Sequence, residues 1–525
     1  MTHTKPIRIM LSSLVFVIWI SACENQNQVS GTQNINNVVT TPSPQSADAE
    51  LVIQGGTLLD MIADSPSPVP VKGIVIRDGK IDRIVAMDSP DPLPRARRII
   101  NADGQYILPG LIDSHVHFKP WVPDASIWRR ASLYFGVTSL FDTGPCGEIC
   151  SETGQDANEW TIEYRDFMND PNRTDGPTLY ITGVRIDGPE GTPQIVKVND
   201  QALISEYLHH LVSINADGVQ VVRVNNRAQI AEYLDHLVNI NADGIKVEST
   251  LPADLRKIVM EEATRRGLPV VGHSKDARES IAAGMKFIEH MSPVTSSLLS
   301  GPAPDEALNS PDHDYLMDLK KAPELIQLMV ENDIYLNPTL VGRYGYYSES
   351  KDRWAAEDLD HLQFGGLFND IPEDKKDDVL DYWKRTDNFG PEEMQQLAIG
   401  LSNVETFLKL FSEAGGKVLA GTDAGQLRIT GLVMHRELQM FVDAGISPYR
   451  ALLSATRWAA ESMQKEHIIG TIHEGKQADI IVLGTNPVAN ITNARDIQYV
   501  IRMGRIMRSP EDCSVIFPPV SSTCN

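Results

Sequence analysis

The chain has 525 residues, with 47 Lys+Arg against 70 Asp+Glu and a formal net charge of −23. Hydrophobic residues make up 42% and charged residues 22%, the balance of a folded globular chain, which excludes a disordered or fibrous one. The acidic excess excludes a nucleic-acid binder, which needs a basic footprint to displace counterions.

Lys5 and Arg8 precede a largely apolar stretch from Ile9 to Ala22, which ends in Ile20-Ser21-Ala22-Cys23. A basic start, a short apolar run and small residues before the cleavage point read as a secretory signal over 1–22, too short for the ~20 residues of a spanning helix. The ending resembles the bacterial lipobox, in which the cysteine is acylated, so Cys23 is the expected lipidation site. Residues 23–50 are rich in Asn, Gln, Ser, Thr and Pro and read as a disordered tether. The expected location is the bacterial cell envelope, periplasm-facing or surface-exposed, with the membrane contacted through the lipid alone. The other cysteines fall as Cys146/Cys150 and Cys513/Cys524, and two disulfides are the expected use in an exported protein.

From Leu51 to 108 short alternating β-runs are punctuated by Gly-Gly and Asp-Gly, and residues 469–508 read the same way. Between them (109–468) β-branched runs alternate with amphipathic helical text. LIDSHVHF, GVTSLFDTG, PTLYITG, GIKVES, PVVGHS, KFIEHMS, IYLNPTL and KVLAGTDAG make eight strands, the count of a (β/α)8 TIM barrel in an α/β chain. Residues 194–219 and 220–245 are a tandem repeat with 17 of 26 positions identical, expected to add a βα-like excursion to the connection between strands 3 and 4. A second insertion, 342–400, carries Tyr344, Tyr346, Tyr347, Trp354, Phe364, Phe368, Tyr382 and Trp383. It reads as a helical cap with its own small core and an inner edge toward substrate. Residues 509–525 form a tail.

His115 and His117 are two apart on a strand, so both imidazoles project to one face. Lys246, between Ile245 and Val247, points to the interior, where an unpaired ammonium is costly. It is balanced either by a carboxylate or by reaction with CO2, which makes an anionic carbamate able to bridge two cations. His273 in PVVGHS, His290 in KFIEHMS and Asp423 in LAGTDAG each end a β-run, where barrel chemistry resides. Nitrogen and oxygen donors of this kind suit zinc-like divalent ions. Arg185 and Arg343 follow strands 3 and 7 and are candidate clamps for a substrate carboxylate. Tyr346 and His435 are further candidate substrate contacts, with helix packing the competing role for His435.

LPGLIDSHVHF, GIKVES, PVVGHS, FIEHM and GTDAG, followed by HRELQMFVDAGISPYRALLSATRWAA and GKQADIIVLG, resemble the amidohydrolase superfamily, in its imidazolonepropionase-like and Xaa-Pro dipeptidase branch. The resemblance implies a binuclear centre: His115, His117 and Asp423 on one ion, His273 and His290 on the other, and carboxylated Lys246 between them. It also implies that 51–108 and 469–508 join in one small β-sandwich outside the barrel. The repeat, the cap and the lack of an obvious Tyr soon after Lys246 are departures from relatives.

The expected activity is hydrolysis of a C–N bond, amide or peptide, in a small substrate such as a dipeptide or N-acyl amino acid, with Asp423 moving the proton. One alternative is a mononuclear cyclic-amide hydrolase, deaminase or lactone/ester hydrolase; another is a surface lipoprotein that binds ligand without catalysis. The expected partner is a small-molecule substrate, and a homo-oligomer is left open.

Overall fold

Eight short runs, seven of them fully buried, set the frame of the chain. In the computed structural model they are β1 (Leu111–Val116), β2 (Val137–Asp142), β3 (Thr178–Ile181), β4 (Ile245–Val247), β5 (Val270–Gly272), β6 (Phe287–Glu289), β7 (Tyr335–Asn337) and β8 (Lys417–Val418). The structure describes residues 48–117, 125–144, 157–173, 176–189, 212–214, 220–301, 311–364, 371–425 and 428–510. The signal segment, the tether up to 47, most of the first repeat copy and the tail beyond 510 lie outside them. So do Cys23, Cys146, Cys150, Cys513 and Cys524, and with them the lipidation and disulfide expectations.

The strands pair in parallel, β1–β2–β3, β4–β5 and β6–β7–β8, and helices cover the connections. Continuous burial is what a parallel sheet covered on both faces demands, and it explains why these runs lack polar alternation. A parallel bridge between Thr182 and Gly244 joins the end of β3 to the start of β4, and one between Val116 and Ala424 joins β1 to the segment after β8. Ser114 N also donates to Ala420 O (3.0 Å) and Asp423 N to His115 O (2.9 Å). The parallel strands are therefore curled, and the segment after β8 lies beside β1.

The second repeat copy supplies a strand, Gln220–Arg223, and a helix, Arg227–Asn239. The Asn226 side chain caps that helix by accepting from Gln229 N. The strand pairs in parallel with Arg185–Asp187, which continues the path of β3 and also pairs with β4.

The two flanks of the chain form one nine-stranded sheet. Strand Tyr106–Pro109 from the first flank pairs antiparallel with Ile480–Leu483 from the second. Both flanks feed one core, in which Ile53, Ile74 and Ile107 pack with Ile480, Val482 and Ile501.

In the insertion 342–400, helices Lys351–Phe364 and Glu373–Asp381 precede the long helix Pro391–Glu413. Tyr344, Tyr346, Trp354, Tyr382 and Trp383 are buried there and pack into the main core. Buried Arg436, on helix Leu432–Asp443, ties the cap down through both oxygens of Asp358, at 2.6 and 3.1 Å. Phe368 lies outside the described residues.

Candidate metal centre

His115 and His117 come from the C-terminal end of β1, and their Nε2 atoms lie 3.2 Å apart. Asp423 Oδ1 lies 3.6 Å from His115 Nε2 and 3.3 Å from His117 Nε2. A tetrahedral zinc ion with bonds of about 2.1 Å keeps its ligands about 3.4 Å apart, so this triad matches the donor set and spacing of such an ion. Among the described residues, these three form the one group of His, Cys, Asp and Glu with converging ligand atoms.

The other two imidazoles stand next to the triad. The ring centroid of His290 lies 5.2 Å from that of His115 and 5.2 Å from that of His273. Lys246 is fully buried on β4, with Nζ 3.2 Å from Thr143 Oγ1 at the end of β2. The six side chains singled out in the sequence thus gather at the C-terminal ends of the strands.

Three of the four imidazoles have Nδ1 held by a neighbour. His115 Nδ1 is 2.5 Å from Glu289 Oε2, His273 Nδ1 is 3.0 Å from Glu248 Oε2, and His290 Nδ1 is 2.8 Å from Thr339 Oγ1. Such partners orient a ring and select its tautomer, leaving the other nitrogen's lone pair for a ligand. Sequence reasoning missed Glu289, Glu248, Thr339 and Thr143. Glu289 stands beside His290 in FIEH and Glu248 two places after Lys246, so proximity to the ligand motifs was the available signal.

Electrostatics favour ligation. Burial, reinforced by the charge of Lys246, holds the His115 and His273 pKa values down, and burial takes that of His117 to about 3. Burial and Arg343 hold His290 down as well. All four rings are therefore held toward the neutral form, the form in which an imidazole ligates a metal. Burial, then the charge of Arg185, pushes the Lys246 ammonium down to about 8, toward the neutral amine that reacts with CO2. Burial raises Asp423, but the hydrogen bond with His117 works against it, and the carboxyl is held well below its usual range.

The backbone is shaped for this cluster. His290 (φ 64°), Thr339 (φ 50°) and Asp423 (φ 50°) all adopt the left-handed region, where non-glycine residues cluster at functional sites. At Gly421 a Cβ would sit 2.5 Å from Asn337 Nδ2 and 2.7 Å from His115 Cβ, so only glycine lets the strand after β8 approach β1.

The candidate substrate contacts fall differently. Arg185 is buried and gives Nη1 to Glu248 Oε1 at 2.8 Å, so one arm of its fork serves the His273 partner. Its Nη2 lies where a Cβ on Gly144 would touch it, beside His117. Arg343, on the short helix Leu340–Tyr344, acts on His290 and His115 as a nearby positive charge. Tyr346 is buried, its ring packed on Tyr347 and Tyr382 with Arg385 5.6 Å away. The expectation that His435 contacts substrate is corrected: it is buried with Nε2 2.8 Å from Phe135 O, which makes it a packing residue.

The C-terminal ends of parallel strands, where these side chains gather, are where active sites of α/β barrels are built. Residues 106–507 match the model of the amidohydrolase family. The chain belongs to that family. It is similar to the adenine deaminase of Listeria innocua serovar 6a, 32% identical over 117 residues, which cover 22% of this chain and 18% of that protein. A dihydroorotase of Pelotomaculum thermopropionicum is 30% identical over 101 residues, 19% of this chain and 21% of that protein. This chain thus aligns with about a fifth of the length of these curated relatives. Among solved structures, a Xaa-Pro dipeptidase with methionine bound in its active site superposes with a TM-score of 0.56 at 22% identity, over 87% of this chain and 99% of that one. That likeness is one of fold.

Proposed function

We propose that this chain is a metal-dependent amidohydrolase that hydrolyses the amide or peptide bond of a small substrate such as a dipeptide or N-acyl amino acid. The observation that carries the reading is the convergence of His115, His117 and Asp423, with His273, His290 and Lys246 adjoining. In this reading the eight strands close into one (β/α)8 barrel, flanked by a β-sandwich built from both ends of the chain. His115, His117 and Asp423 would hold one divalent ion, zinc by donor chemistry, and His273 and His290 would hold a second, with Lys246, as a carbamate, an added anionic ligand. The chain is exported and anchored through Cys23.

When bound, the ions supply Lewis acidity that lowers the pKa of water toward ~7 and polarises a carbonyl. The residues of the chain do the rest. Asp423, ionised at neutral pH, accepts the proton of the attacking water and delivers it to the departing nitrogen, since an amine leaves poorly as an anion. Glu289, Glu248 and Thr339 hold the imidazoles in place, so no reorganisation accompanies the reaction. Arg343 and the free arm of Arg185 set a positive field at the mouth, which suits a substrate carboxylate.

A deaminase or cyclic-amide hydrolase working with a single ion is the second reading. The preformed triad favours it, as does the similarity to an adenine deaminase. A screen of dipeptides and N-acyl amino acids against purines and cyclic amides, run with metal analysis, separates the two. Turnover of the first set with two ions per chain supports the proposal, and turnover confined to the second set with one ion replaces it.

A further inference from the structure

Two buried arginines outside the ligand set share one unusual arrangement. Arg428 gives Nη1 to Thr422 O (3.1 Å) and Asp423 O (2.9 Å), and Nη2 to Gly342 O (3.4 Å). Arg256, on helix Ala253–Arg266, gives Nη1 to His273 O (2.9 Å) and Nη2 to Glu248 O (2.9 Å) and Leu251 O (3.3 Å). Both are buried, 8% and 4% exposed. These oxygen partners are all main-chain carbonyls, and both sets include the carbonyl of a metal-centre residue, Asp423 or His273.

The chemistry of strand ends explains why a guanidinium stands there. As a strand leaves the sheet, its last carbonyls lose their ladder partners, and a buried carbonyl without a donor is costly. Guanidinium offers five N–H groups in a rigid planar fork and accepts nothing, so one side chain fixes carbonyls from two or three segments at once. Arg428 thereby ties the left-handed residue Asp423 to Gly342 in the helix that follows Thr339, the partner of His290. It also lies 4.8 Å from the ring of Tyr382, whose hydroxyl bonds Val341 O, so the cap contributes to the same clamp. Gly342 lets the segments close: a Cβ there would meet Thr422 O at 3.1 Å, Arg428 Nη1 at 3.2 Å and Asp423 Cβ at 3.3 Å. On the opposite side, Arg256 ties β5 at His273 to the segment after β4 at Glu248, the carboxylate that holds the His273 ring.

We propose that Arg428 and Arg256 are positioning residues, one for each half of the metal centre: Arg428 sets the backbone that presents Asp423, and Arg256 the backbone that presents His273. The proposal rests on the metal-holding reading of the site and assigns to these side chains a role in ligand placement that neither performs by touching substrate.

The test uses the full chain, stripped of metal and equilibrated with buffered free zinc, with bound zinc per chain and the melting temperature of the metal-free form measured together. Arg428→Met is expected to weaken zinc binding at the half held by His115, His117 and Asp423 at least tenfold, and Arg256→Met to weaken the other half by a similar factor. Lysine at either position is expected to restore less than half of the loss on a logarithmic scale, because an ammonium is not a planar fork. Wild-type zinc affinity in a folded Arg428→Met chain, or equal weakening of both halves by each variant, would overturn the proposal. Should Arg428→Met fail to fold, Gly342→Ala carries the test: its methyl presses on the same clamp without removing charge and is expected to weaken the Asp423 half several-fold, with no change in affinity counting against the clamp. Absence of zinc from the wild-type chain would instead sink the metal-holding reading itself.

Discussion

The ring of His290 and the hydroxyl of Thr339 meet at 2.8 Å across 49 residues, and both residues hold left-handed backbones, at φ 64° and 50°. A β-branched residue in that region is strained, which the contact with a ligand ring explains. Thr339→Ala is expected to weaken zinc binding about tenfold through loss of the ring's partner. Thr339→Gly relieves the backbone but also lacks the hydroxyl, so it is expected to bind zinc as poorly as alanine while melting at an equal or higher temperature. Equilibrium dialysis and thermal melting of the two variants check this.

Asp423→Asn keeps the shape of the side chain and removes its capacity to carry a proton. Turnover is expected to fall ~10³-fold, within the range for loss of a general acid–base group. The melting temperature of the metal-free form should stay near that of wild type, and steady-state kinetics beside a melting curve give the comparison.

Acid stability is expected to bear the signature of His435. Burial pushes its pKa down to about 4 from 6.5, and Nδ1 has no hydrogen-bond partner among the described residues, so a second ring proton has nowhere to go. Between those two values the unfolded chain binds a proton that the folded chain refuses. Stability present above pH 6.5 is therefore lost as pH falls toward 4, by about 3 kcal/mol in all. His435→Gln retains a donor for Phe135 O and does not titrate, so denaturant midpoints of this variant should fall less steeply between pH 7 and 4.5.

The cap hangs on a buried ion pair. Asp358 accepts from Arg436 through both oxygens and from Trp383 Nε1 at 2.8 Å. Asp358→Ala removes the buried carboxylate of the pair and leaves the guanidinium, only partly compensated, to Glu357 at 2.9 Å, and is expected to cost about 3 kcal/mol in chemical denaturation. Adding Arg436→Met should recover part of that loss, because the uncompensated charge then disappears.

Most of the frame was legible in the sequence because its signals are local. His115 and His117 declare a shared face by their spacing, Lys246 stands between two apolar strand residues, and His273, His290 and Asp423 each close a short run that reads as a strand end. What positions them was not legible, because each partner arrives from far along the chain. Glu289 reaches His115 across 174 residues, and Asp113, buried on β1, is bonded to Thr422 across 309. No periodicity encodes such a pairing, since it depends on the order in which strands stack side by side. Arg185 shows the same limit: it was singled out as a cation near the mouth, yet which acceptor would take its fork, Glu248 or a substrate, is a matter of packing. His435 offered two roles, packing favoured over substrate contact, and its burial with Nε2 2.8 Å from Phe135 O agrees with packing.

The central claim is that six side chains hold two divalent ions with Lys246 between them. Elemental analysis of chain purified with zinc and bicarbonate tests it most directly, run on wild type beside Lys246→Met. Two zinc ions per wild-type chain and at most one in the variant are predicted; a wild-type chain without zinc, or a variant that keeps both ions, contradicts the claim.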